Sequence, residues 1–313
     1  MDGQTSSRDL RCELDCDLER AEFNSIRCPA KLNLFLEVGG KRKDGYHEIE
    51  TIMAPIGLAD TLYFRTRADG VLTLRVDYVE GMTGAGMPVS EENLVYRVVD
   101  GFRKAATCDA GADLVLEKRI PLQAGLGGAS SDAVNALRLA NCVWEVGWSV
   151  QQLSQFAAGY GSDLPFFLAD GWAVCRGRGE QVARLDRGVQ CPVVLVQPPV
   201  GFSTAEIYRR HLPPQQLRSP NPMLEAISAG RVTQVAQCLF NRLELAAAEV
   251  GPWVERLQGL FRMLPVLGHQ MTGSGSSYFG MFPNRLVARR SAAKLQAVLP
   301  DCRVMVSELL PNG

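Results

Sequence analysis

The sequence predicts an α+β fold. Strand-type alternation and helix-type spacing both occur, but without the regular strand–helix–strand repetition of a parallel sheet. A glycine-rich stretch, Pro121–Gly128, runs straight into a helical pattern, and beyond about Gly171 short helical segments with proline breaks dominate. At roughly 100–200 residues per domain, 313 residues suggest two. The expected division is an extension over 1–25, a first domain over 26–172 and a second over 173–313.

Each element follows from its pattern. Leu32, Leu34, Leu36 and Val38 alternate, predicting a strand over Lys31–Val38. Its other face carries Lys31, Asn33, Phe35 and Glu37, too polar for a core and too mixed for plain solvent exposure. Asp44-Gly45 marks a turn. Thr61–Thr66 and Val71–Asp77 read as a hairpin around Asp69-Gly70. Leu94, Val95, Val98, Val99 and Phe102 have helical spacing after an acidic first turn at Glu91-Glu92. Leu114–Leu116 is a short strand, Ser130–Trp144 a helix, and Ser149 the N-cap of a helix over Val150–Ala158 that Gly159 and Gly161 end. Pro192–Gln197 is strand-like, and helices fill most of Thr204–Leu264. A strand over Ser277–Phe282, a helix over Ala288–Val298 and a strand over Arg303–Ser307 close the pattern.

Composition narrows the function. Lys+Arg is 33 against Asp+Glu 34, so no global field gathers nucleic acid or an anionic membrane, and an anionic ligand needs a local device. Apolar runs stay short of the ~18 residues of a membrane span. The 9 cysteines are dispersed without a C-x-x-C pair, which fits a reducing compartment and, with a polar, acid-rich start, a cytoplasmic location. The 3 histidines are far apart, which argues against a histidine metal site.

The strongest local device is Ile120-Pro-Leu-Gln-Ala-Gly-Leu-Gly-Gly-Ala-Ser-Ser-Asp132. Glycines let a backbone approach a ligand closely, and the following helix offers free N–H groups and its positive end. This suits phosphates. It is neither a Walker A loop nor a G-x-G-x-x-G turn. Five weaker signals accompany it. Asp163 sits between a helix end and the apolar run Pro165–Leu168, and its plain alternative is a turn cap. Lys31 shares a strand face with Asn33, or is a solvated edge lysine. Met271–Ser277 is a second glycine-hydroxyl loop, or an ordinary turn. Tyr46-His47, and Thr204 with Tyr208 one helical turn apart, are ligand contacts or packing.

In combination these stretches point to a family. Pro29-Ala-Lys-Leu-Asn-Leu-Phe-Leu36, Asp44-Gly-Tyr-His-Glu48, Glu92-Asn-Leu-Val95, Lys118-Arg-Ile-Pro121, Gly125–Ser131, Gly161–Phe167, Gly177-Arg-Gly-Glu180, Ser203-Thr204 and Gly273-Ser-Gly275 stand in order. From about Ile26 onward the chain resembles the 4-diphosphocytidyl-2-C-methyl-D-erythritol kinases of the GHMP kinase family. The resemblance implies a two-domain fold with the site in the interdomain cleft, ATP and Mg²⁺, and transfer of the γ-phosphate to a cytidine-diphosphate-linked methylerythritol. It implies a catalytic pair, Asp163 as base and Lys31 beside it. It implies a nucleotide site formed by Asn93, Lys118, Pro121, Ala124, Gly125, Leu126, Gly127, Gly128, Ala129, Ser130 and Ser131. It implies substrate contacts at Asn33, Tyr46, His47, Thr204, Tyr208, Gly273, Ser274 and Gly275. No protein-held metal site, nucleic acid or membrane partner is expected, and the chain is expected as a monomer or weak homodimer.

The sequence departs from the family pattern at Gln123, Ala129, Met53 and Arg242, the last replacing a frequent Asp. Two alternatives stay open: another GHMP kinase acting on homoserine, mevalonate or a sugar, and a non-catalytic nucleotide-binding regulator on the same fold.

Overall fold

The computed structural model describes residues 23–79 and 87–312. Most of the expected extension, residues 1–22, lies outside the described residues. In chain order the elements are β1 (Asn24–Lys41), β2 (His47–Arg67), β3 (Leu72–Tyr78), α1 (Leu94–Ala105), β4 (Gly111–Lys118), α2 (Gly128–Val143), α3 (Val150–Ala158), α4 (Leu164–Leu168), β5 (Ala173–Gly177), β6 (Gln181–Arg184), β7 (Cys191–Gln197) and α5 (Thr204–Arg210). Then follow α6 (Asn221–Ser228), α7 (Val232–Gln237), β8 (Phe240–Asn241), α8 (Glu244–Ala248), α9 (Trp253–Arg262), β9 (Gly268–Met271), β10 (Tyr278–Met281), α10 (Arg285–Val298) and β11 (Arg303–Leu309).

The α+β expectation holds. β1 and β2 form a long antiparallel pair, to which β4 and β5 add along different stretches of β2. A second antiparallel group, β11–β7–β10–β9, joins it through a single pairing, Leu309 with Ile56. β2 runs through Pro55 and Gly57, residues that ordinarily end strands. Here Pro55 lies opposite an irregularity of β1 between Pro29 and Lys31, and its carbonyl accepts from Leu310.

The expected hairpin at Asp69-Gly70 is corrected. The chain does turn there, but β4 inserts between the two strands, antiparallel to β2 and parallel to β3. Asp113 of β4 fixes this order, because its carboxylate bonds Arg65 and Arg67 on one side and Thr73 on the other. β3, α1 and β4 thus make a parallel crossover unit. Helix α1 buries Val95, Val98, Val99 and Phe102, worth roughly 1.5–3 kcal/mol for each large apolar side chain. Asn93 caps it, and the acidic pair lies ahead of the cap rather than in the first turn.

Other boundaries shift. β1 begins at Asn24, inside the expected extension, and both its faces are buried along Ala30–Val38. Helix α2 starts at Gly128, with left-handed Gly127 as its N-cap, instead of at Ser130. Ser149 caps α3 in a full capping box with Gln152. The boundary expected after residue 172 falls just before β5, and β5 hydrogen-bonds back onto β2.

Candidate active site

Strand β1 carries the centre of the site. Lys31 and Asn33 point from one face, both buried, and Lys31 Nζ donates to Asn33 Oδ1 at 2.5 Å. Asn33 is itself fixed. Its Nδ2 donates to Thr51 Oγ1 at 2.9 Å, and its backbone N–H donates to Thr272 Oγ1 at 3.0 Å. The Lys31 side chain is therefore aimed rather than free.

Asp163 approaches from the opposite wall. It occupies the N-cap position of α4 but makes no side-chain capping bond, so capping does not account for its carboxylate. Its Oδ2 lies 3.6 Å from Lys31 Nζ, and the carboxylate is 37% exposed while the ammonium is 5% exposed. The arrangement is a sheltered cation facing a carboxylate that solvent or a ligand can reach.

The two glycine loops meet above this pair. Gly125 has φ +71°, and a Cβ there would sit 2.4 Å from the Thr272 carbonyl oxygen, so only glycine lets the loops touch. At Gly127, φ +70°, a Cβ would press on the Lys31 stem at 3.0 Å. The Lys31 N–H also donates to the Leu126 carbonyl at 2.9 Å, which ties the loop to β1. The second loop is pinned by Asn241, whose Nδ2 donates to the carbonyls of Met271 and Gly273, both at 2.9 Å. Ser274 Oγ and Thr204 Oγ1 are 2.9 Å apart, joining this loop to α5.

A cavity of about 1020 Å³ runs through the cleft. Lys31, Asn33, Tyr46, His47, Gly125, Gly127, Asp163, Thr204, Tyr208, Gly273 and Ser274 all line it. His47 stacks obliquely on Tyr208, with ring centroids 5.4 Å apart. Tyr46 is half exposed, with the Arg178 guanidinium 4.9 Å from its ring centre. Burial pulls the His47 imidazole below its usual range, with the charges of His211 and Lys41 adding. Burial pushes the Tyr208 phenol up, and the Asp163 charge adds to it.

The remaining expected residues are placed otherwise. Pro121, Ala124, Leu126 and Ser131 are buried, so the glycine loop turns its apolar side chains inward. Gly128, Ala129 and Ser130 open α2 and Gly275 belongs to the second loop, none of them lining the cavity. Two residues expected at the nucleotide have side chains that bond elsewhere in the fold. The Asn93 side chain is spent on capping α1, accepting from Val95 and donating to Pro88. The Lys118 ammonium, 1% exposed, is enclosed between Asp60 and Asp132 beneath the loop. Arg178, Lys41, Arg209 and His211 line the cavity and were not singled out by sequence reasoning. Arg178 lay within the Gly177–Glu180 stretch, and His211 stands one helical turn past Tyr208, so signals for both were present.

This is the architecture of a small-molecule kinase of the GHMP class. The family description "GHMP kinases N terminal domain" matches residues 93–171 and "GHMP kinases C terminal" matches 223–301. The chain is 43% identical over 270 residues to the 4-diphosphocytidyl-2-C-methyl-D-erythritol kinase of Pelotomaculum thermopropionicum, covering 85% of this chain and 91% of that one. It is 34% identical over 283 residues to the kinase of the same name from Brevibacillus brevis, covering 90% and 95%. A crystal structure of a 4-(cytidine 5'-diphospho)-2C-methyl-D-erythritol kinase superposes with a TM-score of 0.75 at 32% identity, over 93% of this chain and all of that one. An L. major mevalonate kinase shares the fold alone, with a TM-score of 0.70 at 15% identity. The chain belongs to the 4-diphosphocytidyl-2-C-methyl-D-erythritol kinase family.

Proposed function

We propose that this protein transfers the γ-phosphate of ATP to the 2-hydroxyl of 4-diphosphocytidyl-2-C-methyl-D-erythritol, a step of non-mevalonate isoprenoid precursor synthesis. The observation that carries the mechanism is the Lys31–Asp163 pair, 3.6 Å apart beneath two interlocked glycine loops.

Phosphoryl transfer asks for in-line placement and charge neutralisation more than covalent help. The glycine loop and the start of α2 bind the triphosphate through backbone N–H groups. Lys31 offsets charge on the transferring phosphoryl. Asp163 orients the tertiary hydroxyl and, late in the reaction, takes its proton as the new O–P bond forms and ADP leaves. Tyr46, His47 and Tyr208 hold the cytosine by stacking, and Asn33, Thr204 and Ser274 hold the remainder of the substrate.

Mg²⁺ fits this donor set as a companion of ATP. Among the described residues no cluster of three His, Cys, Asp or Glu side chains is poised for a cation. The Asp163 carboxylate, which lines the cavity, suits an ion that takes most ligands from phosphate and water. When bound, it offsets negative charge on the phosphates.

We further read the chain as cytoplasmic and as a monomer or weak homodimer. Support comes from the free thiols Cys28, Cys108, Cys142, Cys175, Cys191, Cys238 and Cys302, and no described helix is long and apolar enough to cross a membrane.

The test is coupled ADP release with the cytidylyl substrate, mevalonate and homoserine. Turnover with the first alone is expected, and turnover with only the others overturns the reading. Asp163→Ala is expected to lower kcat by roughly 10²–10⁴ while ATP still binds. Undiminished turnover would remove Asp163 from the base role.

A further inference from the structure

Beneath the glycine loop lies a charged cluster with no part in the chemistry above. Asp60 on β2, Lys118 at the end of β4 and Asp132 in the second turn of α2 are each at most 1% exposed. Lys118 Nζ donates to Asp132 Oδ2 at 2.7 Å and to Asp60 Oδ2. Asp60 Oδ1 accepts the backbone N–H groups of Arg119 and Ile120, the latter at 2.8 Å. A Cβ built on Gly128 would lie 3.4 Å from Lys118 Nζ, so the ammonium sits directly under the loop.

Both ends of the loop are therefore gripped by one cluster. The chain leaving β4 is held by Asp60, and the start of α2 is held by Lys118 through Asp132. Removing three charges from water is costly, and apolar residues of similar size often serve stability as well or better. What apolar packing lacks is direction: hydrogen bonds fix angle and register.

We propose that Asp60, Lys118 and Asp132 are positioning residues that hold the glycine loop at the width a nucleotide phosphate requires. They act through the loop backbone and do not touch the ligand. Charge balance supports this reading. Burial drives the Asp132 carboxyl well above its usual range, with the Asp60 charge adding and Lys118 opposing. The Lys118 ammonium between the two carboxyls offsets their charge, which limits repulsion of a triphosphate above them.

The inference rests on the kinase reading only in that the loop binds a nucleotide, so the test uses binding without the acceptor alcohol. ADP is titrated into the full chain and into Asp132→Asn by calorimetry, with CDP as a probe of the cytidine side. Asp132→Asn is expected to weaken ADP by about tenfold or more while CDP changes less than about threefold, as when preorganisation is lost at one subsite. A second variant, Asp60→Asn with Lys118→Met and Asp132→Leu, removes all three charges while keeping an acceptor for the Arg119 and Ile120 N–H groups, and keeps the test open if Asp132→Asn folds poorly. It is expected to melt near the parent yet show the same selective loss of ADP affinity. Parent-like ADP affinity in either folded variant, or equal weakening of ADP and CDP, overturns the proposal. Absence of ADP binding by the parent would instead sink the kinase reading.

Discussion

Replacing Arg242 by methionine strips a buried carboxylate of its partner. Glu37 on β1 is 3% exposed at its side chain, and Arg242 grips it with two bonds of 2.7 Å, from Nε and Nη2. The backbone N–H groups of Arg218 and Val38 also donate to it, at 2.7 and 2.9 Å. Breaking a buried pair from one side typically costs ~3–5 kcal/mol. Arg242 is 22% exposed and Glu37 keeps its two backbone donors, so the lower end, ~3 kcal/mol, applies. Part of the loss is packing, since the guanidinium also lies 4.8 Å from the Phe240 ring centre. In a chain of this size that is a fall in Tm of roughly 4–6 °C. The double variant Arg242→Met with Glu37→Gln removes the orphaned charge, keeps an acceptor for the Arg218 and Val38 N–H groups and should regain most of the loss.

Acidity supplies an independent reading of the same pair. Burial raises the Glu37 pKa, but hydrogen bonds from Arg242, Arg218 and Val38 outweigh it and hold the carboxyl below its usual range. A folded-state pKa below the unfolded value of about 4.3 gives stability that is present above that pH and lost as pH falls through the folded value. The gap in urea midpoint between parent and Arg242→Met should therefore be widest near pH 7 and close below about pH 4. A penalty under ~1 kcal/mol, a double variant no better than the single one, or a gap independent of pH would refute the reasoning.

Gly125→Ala forces a side chain into left-handed backbone against the Thr272 carbonyl, so the loops must part; ADP affinity should fall by about tenfold or more, and an unchanged titration would count against the interlock. Arg178→Gln removes the cation over Tyr46, a contact worth ~0.5–1 kcal/mol at an exposed ring, so KM for the cytidylyl substrate should rise roughly two- to fivefold with KM for ATP unmoved. Kinetics with both substrates varied decide this. His47 and His211 both have folded pKa values below about 6.5, the unfolded value, so they favour the neutral form and stability falls as pH drops below that value. Tm of the parent should fall more steeply between pH 7 and 5 than that of His47→Gln, and equal slopes would show that His47 is not the titrating group.

What the sequence disclosed was whatever a short window contains. The glycine turns, the N-cap at Ser149 and the strand over Lys31–Val38 are local, and they stand where expected, although the strand is buried on both faces and not on one. Lys31 and Asn33 were legible because a strand puts residues two apart on one face. β2 escaped along most of its length because it carries Pro55 and Gly57 and is buried on both faces over Thr51–Ala54, which erases alternation. The hairpin expectation failed for a related reason: the residue that separates the two strands, Asp113, lies 40 positions beyond Thr73.

The charged residues make the same point for the site. The resemblance implies a nucleotide-side place for Lys118, and its bonding partners, 58 and 14 residues away, enclose it from below. Arg242 reads as an anomaly in its motif until Glu37, 205 residues earlier, is found against it. A charge's role depends on which opposite charge the fold brings to it and on how much water remains, and neither is a property of neighbouring sequence. Lys31 and Lys118 are both nearly buried lysines near the same loop. One faces a carboxylate that a ligand can reach, and the other faces two carboxylates that nothing can reach. That difference in partner exposure separates the lysine suited to meet a phosphate from the lysine suited to shape the loop that holds it.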